Sequence, residues 1–230
     1  MTERPKLEWD DENVPFAPQF EDTYYSKAGG LGETRYVFLQ GNKLPDRWSS
    51  GKPFTIAELG FGTGLNFLTT VQLFLSLPVR ERPKLTYVSF ELYPIGAADI
   101  TKALSQWPEL TQLKDKLLDA WQLKSGWNEI VIGGVTLKLG IGDAREMLGA
   151  LSTQIDAWYL DGFNPARNPE LWGKDLMYAV SGKTAAGGTF GTYTAAGWVR
   201  RNLQGAGFEV SRIKGYGTKR QMMVGQKPTI

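Results

Sequence analysis

The 230-residue chain has no cysteine and no histidine. Thiolate nucleophiles, imidazole bases, disulfides, zinc fingers and iron–sulfur clusters are thereby excluded. Acid–base chemistry falls to Asp, Glu, Lys, Tyr or the backbone. A hard-cation site would need clustered carboxylates, and no DxDxD-like run occurs, so no metal is expected. Long apolar runs are missing too, and the polar N-terminus "MTERPKLEWDDENVP" carries no signal-peptide pattern. A cytoplasmic protein without membrane contact is the expectation. Charge of one sign is not in excess: 26 basic against 24 acidic residues leave +2. Contact with nucleic acid would therefore need a local basic patch rather than a bulk field.

Glycine is plentiful instead, 27 residues, which points to tight turns or close backbone approaches. A hydrophobic fraction of 42% and a charged fraction of 22% describe a globular chain long enough to bury a core. Residues 1–53, with several prolines and many aromatics, read as an extension packed on a main domain of residues 54–230. Within the extension, "TRYVFLQ" (Thr34–Gln40) has strand character and is followed by a Gly41-Asn42 turn signal. The preceding "SKAGGLGE" reads as a flexible loop.

From Phe54 onward strands and helices alternate. "FTIAEL" is a buried strand, and Leu68, Val71, Gln72 and Leu75 then stand at helical spacing until Pro78. Lys84–Leu92 is a second strand, Ile95–Gln106 a helix, Val135–Asp143 a third strand, Ile155–Asp161 a fourth and Gly187–Thr194 a fifth. "AAGWVRRNLQGAG" reads as a helix, and "FEVSRIKG" with "KRQMMVGQK" as a final antiparallel hairpin. The pattern implies an α/β fold: a mostly parallel sheet with helices on both faces, binding ligands at the carboxyl ends of its strands.

The first strand–helix turn, in "TIAELGFGTGLNFLTTVQ", has an E-x-G-x-G-x-G spacing made by Glu58, Gly60, Gly62 and Gly64. A dinucleotide fingerprint would need glycine at position 65, where Leu65 stands, which counts against a nicotinamide-dependent oxidoreductase. The spacing resembles motif I of the class I S-adenosylmethionine (SAM) methyltransferases, whose sheet is Rossmann-like. Glu91, ending the second strand, is placed to accept hydrogen bonds from ribose hydroxyls. Asp143, with Ala144 beside it, is placed for the adenine and also suits the N-cap of "AREMLGAL". SAM is the cofactor implied, with no FAD.

The stretch "DAWYLDGFNPARNPELW" (Asp156–Trp172) places Asp161 at the end of the fourth strand, then Gly162, Phe163 and the stiffening Pro165 and Pro169. A carboxylate, an aromatic ring and rigid prolines resemble the D/N-P-P-Y/F site of methyltransferases acting on amino nitrogens, although here the order is Gly-Phe-Asn-Pro. Asp161 is the expected catalytic group. With an ordinary pKa near ~4 it is a poor resting base for an amine of pKa ~10, so its expected task is to hold the amine and accept its proton as the bond forms. The lack of cysteine counts against methylation of a ring carbon that needs a cysteine adduct, and so favours nitrogen.

The segments "DTYYSKAGGLGETRYVFLQGNKL", "AELGFGTGLNFL", "DAWYLDGFNPARNPELW", "TYTAAGWVRRNLQGAGF" and "GYGTKRQMM" together resemble the methyltransferase domain of the bifunctional tRNA 5-methylaminomethyl-2-thiouridine biosynthesis (MnmC) family. The likeness runs from about Asp22 to Gly225. It implies SAM-dependent methylation of the aminomethyl group on the wobble (2-thio)uridine of tRNA, with the anticodon region as partner and no obligate protein partner. Phe163, and Tyr24 or Tyr25, are the candidates to stack the base, the tyrosines being equally compatible with plain packing. Arg167, Arg200, Arg201, Lys214, Lys219 and Arg220 are the candidate RNA contacts. Two departures stand out: Gln221 replaces an acidic residue of the family, and no flavin-dependent oxidase half follows Ile230, so only the last methylation is expected. A methyltransferase for a small-molecule or protein amine is the alternative; it would keep the glycines, Glu91 and Asp143 but show no tRNA dependence.

Overall fold

The computed structural model describes residues 4–229. Three short strands, β1 (Glu8–Trp9), β2 (Pro15–Ala17) and β3 (Asp22–Thr23), form a small antiparallel sheet. They lead into α1 (Gly30–Thr34), which continues through Arg35–Gln40 with wider π-type turns. The segment expected as a strand is therefore helical, and part of the expected loop before it is the first turn of that helix. Val37, Phe38 and Leu39 explain the difference: all three consecutive side chains are buried, and so short an apolar run cannot fix its own period. The helix lies hard against the main sheet. A Cβ on Gly191 would stand 2.3 Å from the Val37 carbonyl oxygen, and the Phe38 ring stacks on Tyr159.

The main body continues as β4 (Phe54–Leu59), α2 (Leu65–Ser76), β5 (Leu85–Glu91), α3 (Ala97–Leu104), α4 (Thr111–Asp119), β6 (Gly126–Ile132) and β7 (Val135–Ile141). It then runs through α5 (Ala144–Met147), β8 (Ile155–Leu160), α6 (Lys174–Lys183), β9 (Thr184–Thr192), α7 (Gly197–Gly205), β10 (Glu209–Ile213) and β11 (Met222–Gln226). One eight-stranded sheet has the order β10-β11-β9-β8-β4-β5-β7-β6. Its five central strands are parallel. The edges are antiparallel: β6 against β7, and β11 between β9 and β10. All five strands expected in the main body are present, as is the terminal hairpin. α4, β6 and α6 were not anticipated, although Gly133-Gly134, both at positive φ, is a two-residue hairpin signal between β6 and β7.

β4 is buried along its whole length, as a central parallel strand covered on both faces must be. On one face Ile56, Tyr87 and Leu137 pack under α2, together with Val14, Leu31, Phe38 and Trp48 from the first fifty residues. On the other, Ala57, Val88 and Trp158 pack with Met177 of α6 and Leu203 of α7. The chain runs outward from β4 through β5 to the edge strand β6, turns back by a hairpin into β7 beside β5, then crosses over to β8 on the other side of β4. Strand order thus reverses between β4 and β8, where a ligand crevice belongs. Among the described residues no helix is long and apolar enough to cross a membrane.

Candidate active site

A cavity of about 760 Å³ opens at the carboxyl ends of β4, β5, β7 and β8, within the usual range for a small-ligand site. The turn after β4 forms its floor. Gly60 and Gly62 adopt φ of 84° and 53°, which side chains rarely tolerate. Both line the cavity, and their backbone faces close neighbours: a Cβ on Gly60 would come within 3.5 Å of Gly162, and one on Gly62 within 3.2 Å of Tyr24. Glu91 ends β5 at the cavity wall and supports this turn. Its Oε2 accepts the Gly62 N–H and its Oε1 the Tyr93 N–H, both at 2.8 Å. Burial pushes its pKa up, opposed by those backbone donors.

Asp143 and Ala144 line the same cavity beyond β7. Asp143 caps α5 by accepting the Arg145 N–H at 2.8 Å. The Arg145 guanidinium also grips its carboxylate, holding its pKa below the usual value. Arg145 was not singled out from sequence, although its place two residues after the cap was visible.

Glu58 and Gly64 do not line the cavity. Gly64 faces the Phe61 ring and Leu117. Glu58 is completely buried beneath the turn and accepts from Ser89 Oγ at 2.7 Å and Asn66 Nδ2 at 2.9 Å. Burial pushes its carboxyl up to about 8 despite those donors. It is a buried support, and the expectation that it reaches a ligand is corrected accordingly.

Asp161 follows β8 and lines the cavity. Its Oδ1 accepts the N–H of Gly162 at 2.9 Å, and its Oδ2 accepts Asn66 Nδ2 at 2.7 Å. Burial pushes its pKa up to about 7, and the nearby Lys219 opposes the shift. The ordinary carboxylate value assumed from sequence does not hold here, but a pKa near 7 still lies below that of an alkyl amine, so Asp161 remains a weak resting base.

The chain after Asp161 is held from several sides. Tyr193 donates its hydroxyl to the Gly162 carbonyl at 2.9 Å, and Trp172 its indole N–H to the Phe163 carbonyl at 3.0 Å. Phe163 stacks on Phe20, with centroids 4.4 Å apart, and meets the edge of Tyr24 at 5.0 Å. Phe20 was missed because only the folded N-terminal segment brings it here. The Asn164 N–H donates to Asp22 at 2.7 Å, and Arg167 pairs with Glu21 at 2.6 Å, so this segment and the loop are joined.

Tyr25 borders the cavity, but its hydroxyl is 2.9 Å from the Ala103 carbonyl and its ring packs edge-on against Trp107. It is a packing residue. Lys219 lies over the Tyr193 ring and pairs with Glu33 at 2.7 Å. Arg200, Arg201, Lys214, Arg220 and Gln221 do not line the cavity. Arg201, Lys214, Arg220 and Gln221 are exposed, while Arg200 is half-buried. Among the described residues no group of three or more His, Cys, Asp or Glu could hold a metal ion.

Residues 108–228, more than half of the chain, match the family described as S-adenosyl-L-methionine-dependent methyltransferase. The chain belongs to this family. The fold agrees, being that of the class I SAM-dependent methyltransferases. The chain is 43% identical over 229 residues, 97% of its length, to the tRNA 5-methylaminomethyl-2-thiouridine biosynthesis bifunctional protein MnmC of Marinomonas sp. (strain MWYL1). It is 42% identical over 233 residues, 96% of its length, to the protein of the same name from Vibrio cholerae serotype O1 (strain M66-2). It spans about a third of those relatives, 34% and 35% respectively. The crystal structure of MNMC2 from Aquifex aeolicus superposes with a TM-score of 0.76 at 22% identity, covering 99% of this chain and 73% of that one.

Proposed function

We propose that this methyltransferase acts on tRNA, methylating the aminomethyl nitrogen on the wobble 5-aminomethyl-(2-thio)uridine to give the methylaminomethyl form. The observation that carries the reading is Asp161: a half-buried carboxylate, anchored by two hydrogen bonds, beside Phe163 and facing the same cavity as Gly60 and Gly62. The likeness to proteins named for this tRNA modification supplies the substrate class.

The residues present fit SAM. Gly60 and Gly62 leave bare backbone at the cavity floor, Glu91 keeps lone pairs for hydroxyl donors, and Ala144 gives a flat apolar contact beside Asp143. When bound there, SAM supplies an electrophilic methyl group. Asp161 holds the substrate ammonium and takes its proton, which frees the nitrogen lone pair. Moving a proton from an amine of pKa ~10 to a carboxylate of pKa ~4 is uphill by roughly 8 kcal/mol, and to one near 7 by roughly 4. The raised pKa of Asp161 thus makes that step less uphill than for an ordinary carboxylate. Phe163, stacked on Phe20 and flanked by Tyr24, offers a flat wall for a base turned out of the anticodon loop. Arg167 and Lys219, which line the cavity although each pairs with a glutamate, and Arg200, Arg201 and Arg220 outside it, are the candidates for phosphate contact.

The test is mass spectrometry of nucleosides from tRNA bearing aminomethyl-uridine, incubated with SAM and the protein. Conversion to the methylaminomethyl nucleoside supports the reading. An unchanged tRNA beside methylation of a free small-molecule or protein amine would overturn it.

A further inference from the structure

Every polar atom of the Asn66 side chain is committed. Its Nδ2 donates to Asp161 Oδ2 at 2.7 Å and to Glu58 Oε1 at 2.9 Å, while its Oδ1 accepts from Thr34 Oγ1 at 2.7 Å. Asn66 and Thr34 are both buried. Turning the amide over would set its oxygen against Asp161 Oδ2 and take away that oxygen's donor, so the charged Asp161 dictates its orientation. Glu58 is itself anchored from below by Ser89. A chain of fixed contacts therefore rises from the middle of the sheet, through Glu58 and Asn66, to the carboxylate at the cavity.

We propose that Asn66 is a positioning residue for methyl transfer: seated on Glu58 and Thr34, it fixes the Asp161 carboxylate so that its unused lone pairs face the substrate amine. The proposal rests on the reading of Asp161 as the group that takes the amine proton. An ionised carboxylate has about four acceptor sites, and Gly162 and Asn66 occupy only two. Without Asn66 the Oδ2 side would be free to rotate toward water or toward Lys219. Thr34 gives the arrangement reach: it belongs to α1, so the N-terminal segment touches the acid–base group through one intervening amide.

Other groups also act on Asp161. Glu33 of α1 raises its pKa and Lys219 ahead of β11 lowers it. Tyr193 after β9, Tyr87 of β5 and Glu58 of β4 complete its titratable surroundings. Asn66 stabilises the charged form, so its loss should raise the Asp161 pKa further.

The experiment compares Asn66→Ala, Asn66→Ser and Thr69→Ala with wild type. Thr69 is a control on the same helix, its hydroxyl spent on the Leu65 carbonyl at 2.7 Å. Three quantities are read: SAM affinity by calorimetry, single-turnover methylation across pH, and the carboxyl titration of Asp161 by NMR on aspartate labelled with carbon-13, assigned by its loss in Asp161→Asn. In Asn66→Ala the titration midpoint should move up and neutral-pH turnover fall by about tenfold or more, recovering as pH rises, while SAM affinity changes little. Asn66→Ser should move both in the same direction by less, and Thr69→Ala should move neither. Should Asn66→Ala fail to fold, Asn66→Ser decides. A folded Asn66 variant with an unmoved midpoint and wild-type turnover overturns the proposal. Wild-type protein that leaves aminomethyl-uridine unmethylated refutes the substrate, while the carboxyl titration still judges the link between Asn66 and Asp161.

Discussion

The Tyr24 ring stands 3.2 Å from where a Cβ on Gly62 would lie, at a backbone φ of 53°. Gly62 is therefore closed to side chains from two directions, by its own conformation and by the ring across the cavity floor. Gly62→Val should strain the turn, displace Tyr24 and weaken SAM binding by roughly tenfold or more, while the sheet still folds. Calorimetry on the folded variant checks this. Unchanged affinity would remove the glycine turn from the cofactor site.

Glu58 carries a second prediction, on stability. Its pKa is raised from 4.5 to about 8 in the folded protein. Between those values the native state binds a proton that the unfolded chain has released, so stability falls as pH rises through this window. The contribution is whole below pH ~4.5 and lost once pH passes the folded pKa. Glu58→Gln cannot ionise and should flatten this part of the curve, becoming more stable relative to wild type as pH rises. Urea denaturation at a series of pH values reads the difference. Parallel curves for the two proteins would mean that Glu58 does not titrate in this range.

The wild-type rate should follow Asp161. With its pKa pushed up to about 7, single-turnover methylation with SAM saturating should decline as pH falls below neutrality. A rate that stays level well into the acid range would show a carboxylate of ordinary strength.

Much of this site is local in sequence, and that part was legible. The glycine turn, Glu91 and Asp161 each sit at the end of a strand whose apolar pattern is plain, and strand ends of a parallel sheet converge without further information. The parts that were not legible depend on contacts between distant segments. Asn66 looks like a polar residue at the start of an apolar helix until Thr34, Glu58 and Asp161 surround it. Phe20 gains its role from stacking on Phe163, 143 positions away in sequence numbering. Arg35–Gln40 carries residues suited to a strand, but its three buried side chains, Val37, Phe38 and Leu39, are consecutive, so the run could not fix its own period. Nor could composition reveal the raised pKa of Asp161, which follows from enclosure.

The exposed cations near the C-terminus carry a prediction about RNA. Arg201 and Arg220 are exposed and lie outside the cavity. Arg201→Glu with Arg220→Glu should weaken tRNA binding and reduce the slope of log affinity against log salt by about one per lost phosphate contact, leaving SAM binding alone. Filter binding across a salt series measures it, and an unaltered slope would locate the RNA face elsewhere.

The role of Asp161 is tested most directly by single-turnover methylation of aminomethyl-uridine tRNA with Asp161→Asn, measured beside SAM affinity. The amide keeps the shape and can still accept from Asn66, but it neither holds an ammonium by charge nor takes its proton. Turnover should fall by roughly a hundredfold or more, the scale of losing one preorganised electrostatic partner, with SAM affinity little changed. Near-wild-type turnover in the Asn variant would make Asp161 a structural residue and contradict the mechanism.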